Sequence, residues 1–314
     1  MLNLSLRQLR TFVAVSRHLS FARAAEELHL TAPAVSMQIR ELETALDLPV
    51  FERNGRGVSL TTTGEYLLVY ARRVINTLKE AEDTIARLRG VQAGRITVGM
   101  VGTAQYFLPR LLAQFRVEFP GVDVRLSVGN RDQLGRQLRD REIDLAVMGR
   151  PPRELDTRAE AFAPNPLAVI ASAGHPLVAK QTILPARLDR EVFIVRETGS
   201  GTRAAMEAFF KEQHISPPTI MEMTSNGTIK QAVIANMGLT LLSLHTLGLE
   251  LEAGQLAVLD VVGLPLMRAW HVVNLGVVAL SPAAEAFRNF VLERGEAMLN
   301  QLFETGSPPK RKRR

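Results

Sequence analysis

At 314 residues, 46% hydrophobic and 22% charged, the chain has the bulk for two or three globular domains with sizeable cores. It contains no cysteine, which excludes disulfides, thiolate metal sites and a cysteine nucleophile. The net charge of +6 overstates how basic the body is, because Lys310, Arg311, Lys312, Arg313 and Arg314 carry five of those charges.

No apolar run reaches 18 residues, and the N-terminal MLNLSLRQLR lacks a signal-peptide core, so a cytoplasmic protein without membrane contact is expected. Ser5 can cap a first helix whose apolar positions are Leu6, Leu9, Phe12 and Val13. Ser20 can cap a second, short helix with Ala24, Ala25 and Leu28 on one face. His29 and Leu30 leave that helix, Thr31 caps a third, and Pro33 sits in its first turn, where no N–H partner is lost. Val35, Ile39 and Leu42 recur at spacings of 4 and 3 and face inward. Pro33, Ser36, Met37 and Arg40 form the opposite stripe. Two short helices, a tight turn and an outward stripe of small polar and basic residues predict a helix-turn-helix, braced from behind by the first helix.

Leu46, Leu48, Val50 and Phe51 read as buried, and the Gly-rich turn 52–57 followed by Val58-Ser59-Leu60 predicts a two-stranded wing. Arg53 and Arg56 at its tip are placed to reach phosphates or the minor groove. Residues 1–60 hold seven Arg against six acidic side chains, so a DNA-binding reading rests on where each Arg stands and not on bulk charge. A long helix opens at Thr61-Thr62-Thr63-Gly64 and runs to about Arg89. Its Leu67, Ala71, Val74, Leu78, Ala81, Ile85 and Leu88 alternate by 4 and 3, a heptad seam that predicts dimerisation. Val91 to Gly94 reads as a hinge.

From Arg95 the pattern changes to α/β. Strands are expected at 96–100, 122–128 and 145–148, and helices at 107–119 and 133–139, which predicts parallel pairing with crossover helices. A second set begins near Leu167–Ile170 and takes in a strand at 192–195, helices at 202–213 and 228–236, and a strand at 239–242. Val272–Leu275 and a helix from Pro282 to Phe303 return to the first set. Two lobes joined by crossings near Pro166 and Met267 leave a cleft between them, the usual place for a small-molecule site. Enzyme chemistry is poorly supported, since the six histidines are scattered and there is no HExxH or GxSxG. A two-lobed binding or transport protein is the competing class, but it would have no use for residues 1–90.

The residues Ala24-Ala25-Glu26-Glu27-Leu28, Pro33-Ala34-Val35-Ser36, Leu42-Glu43 and Val50-Phe51-Glu52-Arg53 make the N-terminal part resemble the LysR-type transcriptional regulators. The resemblance extends along the whole chain. It implies an α/β fold with an all-α winged helix-turn-helix at residues 1–63, a linker helix and hinge at 64–93, and an effector domain at 94–306 like the periplasmic binding proteins. Lobe I would take 94–167 and 268–306, lobe II 168–267, and residues 307–314 a disordered basic tail. The strings Val128–Arg131, Met148–Pro152, Val195–Arg203 and Glu222–Asn226 look like the subgroup that controls RuBisCO and Calvin-cycle operons. The implied partners are promoter DNA, a second copy of the chain or a tetramer, RNA polymerase and an anionic effector, either a phosphorylated metabolite or NADPH, with no further cofactor or metal. A LysR-type regulator of another operon with a carboxylate effector is the alternative within the family.

Within that resemblance Ala32, Pro33, Ser36, Met37 and Arg40 fall on the base-reading face. Ala32 departs from the family, which usually has Gln there, and an alanine offers only apolar contact. The segment Glu197–Arg203 lies between a strand and a helix. Its residues alone fit an anion-binding loop and a plain capped turn equally well; the family places effector contacts there. The effector residues expected are Thr198, Ser200, Gly201, Thr202 and Arg203 in that loop, Thr103 and Gln105 after the first strand, Asn130 and Arg131 after the second, Gly149 and Arg150 after the third, and Asn226 from the second lobe. Arg150 has a second reading, as a salt bridge between the lobes.

Overall fold

The computed structural model describes residues 4–54, 57–89 and 94–304. Contacts divide the chain into two compact units, Met1–Ile85 and Ala86–Arg314.

The first unit holds α1 (Leu6–His18), α2 (Phe21–Leu28), α3 (Ala32–Leu46), the hairpin β1 (Phe51–Asn54) and β2 (Gly57–Leu60), and most of α4 (Thr62–Arg89). The expected caps are in place. Ser5 closes a capping box with Gln8, Ser20 accepts from the Arg23 amide, and Thr31 accepts from the Ala34 amide. Phe12, Ala24, Val35, Leu42 and Val50 are fully buried in one core. The Glu43 carboxylate accepts from the Val50 and Phe51 amides at 2.9 and 3.3 Å, which fixes the wing to the end of α3. Leu48, expected inside, is 53% exposed. It follows the left-handed C-cap Asp47, where the chain turns outward before re-entering the core at Val50.

The seam of α4 divides in two. Ala71 is buried in the core of the head and Leu67 packs against it, together with Leu68 and Ile75. Val74, Leu78, Ala81 and Ile85 are exposed. Leu67 and Ala71 are therefore corrected from dimer-seam to core residues: the first turns of α4 supply a wall that three short helices cannot close by themselves. Arg56 and the side chains of Arg53 and Leu88 lie outside the described residues, as do residues 305–314, Gly90 and Val91 to Ala93 of the expected hinge, whose last residue, Gly94, instead begins the first strand of the second unit.

The second unit is built on a seven-stranded sheet. Lobe I contributes β3 (Gly94–Val101), α5 (Leu108–Glu118), β4 (Val122–Gly129), α6 (Arg131–Arg139) and β5 (Leu145–Met148), with β3 parallel to both β4 and β5 as the alternation predicts. Then β6 (Thr157–Ser172) runs 16 residues without a break from lobe I into lobe II. Lobe II adds β7 (Phe193–Arg196), α7 (Gly201–Glu212), β8 (Thr219–Met223), α8 (Asn226–Ile234), β9 (Thr240–Ser243), α9 (Gly248–Glu252) and β10 (Leu256–Val258). The return strand β11 (Leu266–Leu275) lies antiparallel to β6, and α10 (Pro282–Glu304) closes lobe I. The two expected crossings are one feature, since Pro166 of β6 and Met267 of β11 face each other as register partners.

Lobe I packs around Trp270, Phe107, Phe115 and Phe287, all fully buried. The Trp270 ring meets Phe107 edge-on at 4.9 Å, and its indole N–H donates to His245 Nδ1 at 2.9 Å. Burial pushes the pKa of His245 down to about 4. The unfolded chain then takes up a proton near pH 6.5 that the folded chain refuses, so stability falls as pH drops from 6.5 towards 4. The contribution lost is about 3 kcal/mol. Chemical denaturation of wild type and His245→Gln at pH 7 and pH 4.5 is expected to show a smaller pH loss in the variant. Equal losses would contradict a buried neutral imidazole.

Candidate functional site

The recognition face of α3 is as expected in outline. Pro33, Met37 and Arg40 are exposed and Ser36 is half-exposed, while Gln38 on the inner face receives a buried hydrogen bond from Thr11 Oγ1 at 2.5 Å. Met37 is 57% exposed, a large apolar group with no packing role in the head. Ala32 stands apart from the other four: it is half-buried and packs against the core of the head. It opens α3 next to Pro33, and its half-burial leaves an open side that a longer side chain can take. Ala32→Gln is expected to add an adenine preference at one position of each half-site, worth roughly 1–3 kcal/mol for a bidentate amide. Selection of bound sequences with both proteins reads this directly, and unchanged preferences would remove Ala32 from the reading face.

The cleft of the second unit lies where the strands of both lobes end, and offers about 500 Å³ including its open mouth. Eight expected residues line it: Thr103, Asn130, Arg131, Gly149, Arg150, Ser200, Gly201 and Thr202. Four do not. Gln105 is exposed in the turn after β3, away from the lining. Thr198 and Arg203 line an adjoining pocket of about 470 Å³ including its open mouth, which shares Arg131 and Ser200 with the cleft. Arg203 is occupied by Glu207 at 2.6 Å, Glu222 at 2.5 Å and the Arg196 carbonyl at 3.0 Å. These bonds raise its pKa, the Glu207 bond most, so its guanidinium clamps α7 to β7 and β8 and is not free to grip a ligand. Asn226 sits one layer behind the lining, 1% exposed, where its Oδ1 accepts from Arg196 Nη1 at 2.6 Å. Its Nδ2 is buried with no partner among the described residues.

Arg196, Asn165, Ser243 and Arg268 are cleft residues that sequence reasoning did not select. Arg196 is 6% exposed and held in a fork by Glu197 at 2.8 and 3.0 Å. Ser243 of β9 donates to Asn165 Oδ1 of β6 at 2.6 Å. Asn165 in turn packs closely on Gly149, where an added Cβ would stand 2.9 Å from its Nδ2 and push the amide aside. A single charged residue inside an otherwise apolar strand, as in Phe193-Ile194-Val195-Arg196 and Leu266-Met267-Arg268-Ala269-Trp270, is the signal that could have found both arginines.

The electrostatics are one-sided. Arg131 is shared with Asp132 and Glu154, and Arg196 with Glu197. Arg150 and Arg268 have no carboxylate partner among the described residues, so the salt-bridge reading of Arg150 fails. Burial lowers the pKa of Arg268, and the neighbouring Arg150 charge lowers it further. The N-terminus of α7 opens on the same space. Its N-cap Ser200 is buried and makes no side-chain capping bond, so the first amides of α7 and this hydroxyl are free for an anion. The loop before it approaches lobe I closely: Gly199 has φ +84°, and a Cβ there would stand 2.9 Å from Asp132 Oδ2. This constellation is complementary in charge and donor geometry to a small anion with several acceptor oxygens. Among the described residues no cluster of His, Asp or Glu could hold a metal ion, and no helix is long and apolar enough to cross a membrane.

Comparison with known proteins gives the same division of the chain. Residues 6–65 match the bacterial regulatory helix-turn-helix protein, lysR family, and residues 89–296 match the LysR substrate binding domain. The chain is 47% identical over 308 residues to the HTH-type transcriptional regulator CfxR of Cupriavidus necator, covering 98% of this chain and 97% of that one. It is 48% identical over 297 residues to the RuBisCO operon transcriptional regulator of Allochromatium vinosum, covering 95% and 98%. Among solved structures, the regulatory domain of CcmR from Synechocystis, in complex with 2-PG, superposes with a TM-score of 0.62 at 38% identity, over 64% of this chain and 96% of that one. The chain belongs to the LysR family of bacterial transcriptional regulators and is a DNA-binding regulator, not an enzyme.

Proposed function

We propose that this regulator controls carbon-fixation genes, and that a small phosphorylated acid held between the lobes sets its state on promoter DNA. The observation that carries the effector class is the unpaired Arg150 and Arg268 beside the open N-terminus of α7. Two guanidinium groups close together in a half-buried cleft repel each other until an anion bridges them. A phosphate group has the charge and the oxygens to satisfy both them and the helix amides. The size of the cleft favours a short phosphorylated acid over a dinucleotide such as NADPH. The target operon is supported by the relatives named for RuBisCO operons, and the ligand class by the 2-phosphoglycolate complex of the CcmR domain.

The chain acts as a dimer through the exposed part of α4, and pairs further into a tetramer with four reading heads. Effector binding shifts the lobe arrangement and with it the spacing of the heads, the bend of the DNA and the contact with RNA polymerase. The effector can do this only through different affinities for the two states. Footprinting and bend measurement on the intergenic region next to this gene, with and without 2-phosphoglycolate, test the reading. A shortened footprint or a relaxed bend at saturating ligand is the expected result. Identical footprints and bends, with no heat of binding, would overturn it.

A further inference from the structure

Strands β6 and β11 present two faces where they cross between the lobes. Asn165, Leu167 and Arg268 look into the anion cleft. Their neighbours Pro164, Pro166 and Met267 look the other way, as alternation along a strand requires, and line a second and larger cavity of about 1040 Å³ including its mouth. The wall continues with Leu251 of α9 on the lobe II side and with Leu302 and Phe303 at the end of α10 on the lobe I side.

The chemistry of this back cavity is the reverse of the front. Four arginines line the cleft, whereas among the described residues no Arg or Lys lines the back cavity and Glu252 is the one charged residue there. Its polar anchor is His245. The Trp270 indole N–H donates to His245 Nδ1, so the ring proton is on Nε2. That Nε2–H has no acceptor among the described residues. The ring packs against Phe303 at a tilt of 32°, with centroids 4.5 Å apart, and burial keeps it neutral.

We infer that the back cavity is a second ligand site, for an uncharged and largely apolar small molecule that presents one acceptor oxygen to His245 Nε2. Apolar walls with one fixed donor are the usual composition of a small-molecule site. Walls from both lobes and from the crossing strands suit a compact ligand better than an extended peptide. An anion is disfavoured by Glu252 and by the lack of a cation among the described lining residues. The basic C-terminal run of the chain has no apolar residue to offer it. This site does not depend on the identity of the front ligand, and it gives the regulator an input of opposite chemistry that bears on the same crossing.

Two features of the molecule make the test clean. Trp270 is the one tryptophan of the chain and touches the anchor histidine, so it reports on the cavity. Gly248 lies on the cavity wall with open space where its Cβ would be, so Gly248→Phe brings a ring to the cavity wall with no clash at Cβ. The probe is prodan, a neutral naphthalene ketone whose emission shifts to the blue in apolar surroundings. Full-length protein is expected to shift prodan emission and to lose Trp270 emission by energy transfer, with saturable binding that inorganic phosphate does not displace. Gly248→Phe is expected to weaken binding at least 30-fold, roughly the cost of an excluded ring. His245→Phe, which keeps the ring and removes the donor, is expected to weaken it about 10-fold. Absence of a saturable shift, or unchanged binding in both variants, overturns the inference. A change of oligomeric mass in Gly248→Phe without any prodan binding to wild type assigns the cavity to a second copy of the chain and overturns it as well.

Discussion

Arg268→Gln is expected to weaken binding of a phosphorylated effector about 100-fold while leaving thermal stability unchanged or slightly raised. The loss follows from one or two charge-assisted hydrogen bonds at about 1.5–3 kcal/mol each, and every 1.4 kcal/mol is a factor of ten. The stability outcome follows from the unliganded cleft. Arg268 is half-buried beside Arg150 and has no carboxylate partner among the described residues, so its charge costs more in the folded state than it returns. Removing it relieves a repulsion. Arg203→Gln is the contrasting variant. Arg203 is bonded to Glu207 and Glu222, so its loss is expected to lower stability modestly and leave effector affinity within about three-fold. Calorimetric titration with 2-phosphoglycolate and thermal melts of both variants check the pair. A large loss of affinity from Arg203→Gln, or a destabilised Arg268→Gln, would refute this division of labour.

Leu78→Glu combined with Val74→Asp is expected to give a monomer with an intact head and to reduce affinity for a two-half-site promoter by about 10²–10⁴-fold. Both side chains are at least 40% exposed, so the substitutions cost the head little. Two charges on each copy would face their counterparts across the pair and forbid the seam. Ala71→Asp looks equivalent in the heptad but is not. Ala71 is 1% exposed in the core of the head, where an unpaired carboxylate unfolds the domain. Light scattering, circular dichroism and gel shifts on one and two half-sites separate the outcomes. A dimer that survives Leu78→Glu with Val74→Asp would move the interface elsewhere.

Much of this was legible from local chemistry. Ser5, Ser20 and Thr31 announce three helices because a hydroxyl before an apolar repeat satisfies amides the helix cannot, and each does so. The 4-3 spacing of α4 predicted its length, but not which positions turn onto the head, since that depends on where the head's own core runs short. Strands were harder. Pro164 and Pro166 disguise the middle of β6 as a connection, yet both lie where only β11 pairs with the strand, before β9 joins at Leu167. A proline without a neighbour on its donor side costs a strand nothing. β8 and β10 escaped because they are short edge segments. In the cleft, the residues next to helix starts were readable, since strand ends and helix N-termini mark themselves. Arg196, Asn165, Ser243 and Arg268 were not, because their meeting depends on four strands spread over the stretch from Asn165 to Arg268. Arg203 misled for the opposite reason: its position in the loop suggests a ligand contact, and only the fold shows the two carboxylates already there.

The facing of Pro166 and Met267 has a mechanical consequence. Two lobes tethered by separated strands could tilt in several independent directions. Here the tethers lie side by side and are hydrogen-bonded neighbours, so they form a single crease. Lobe II can fold or twist about that line, but it cannot slide without tearing the ladder on either side. Whatever occupies the molecule therefore acts on one coordinate. Ligands of unrelated chemistry on opposite sides of the crease would register as pushes along the same axis, and their effects on DNA would add or cancel instead of producing separate outputs.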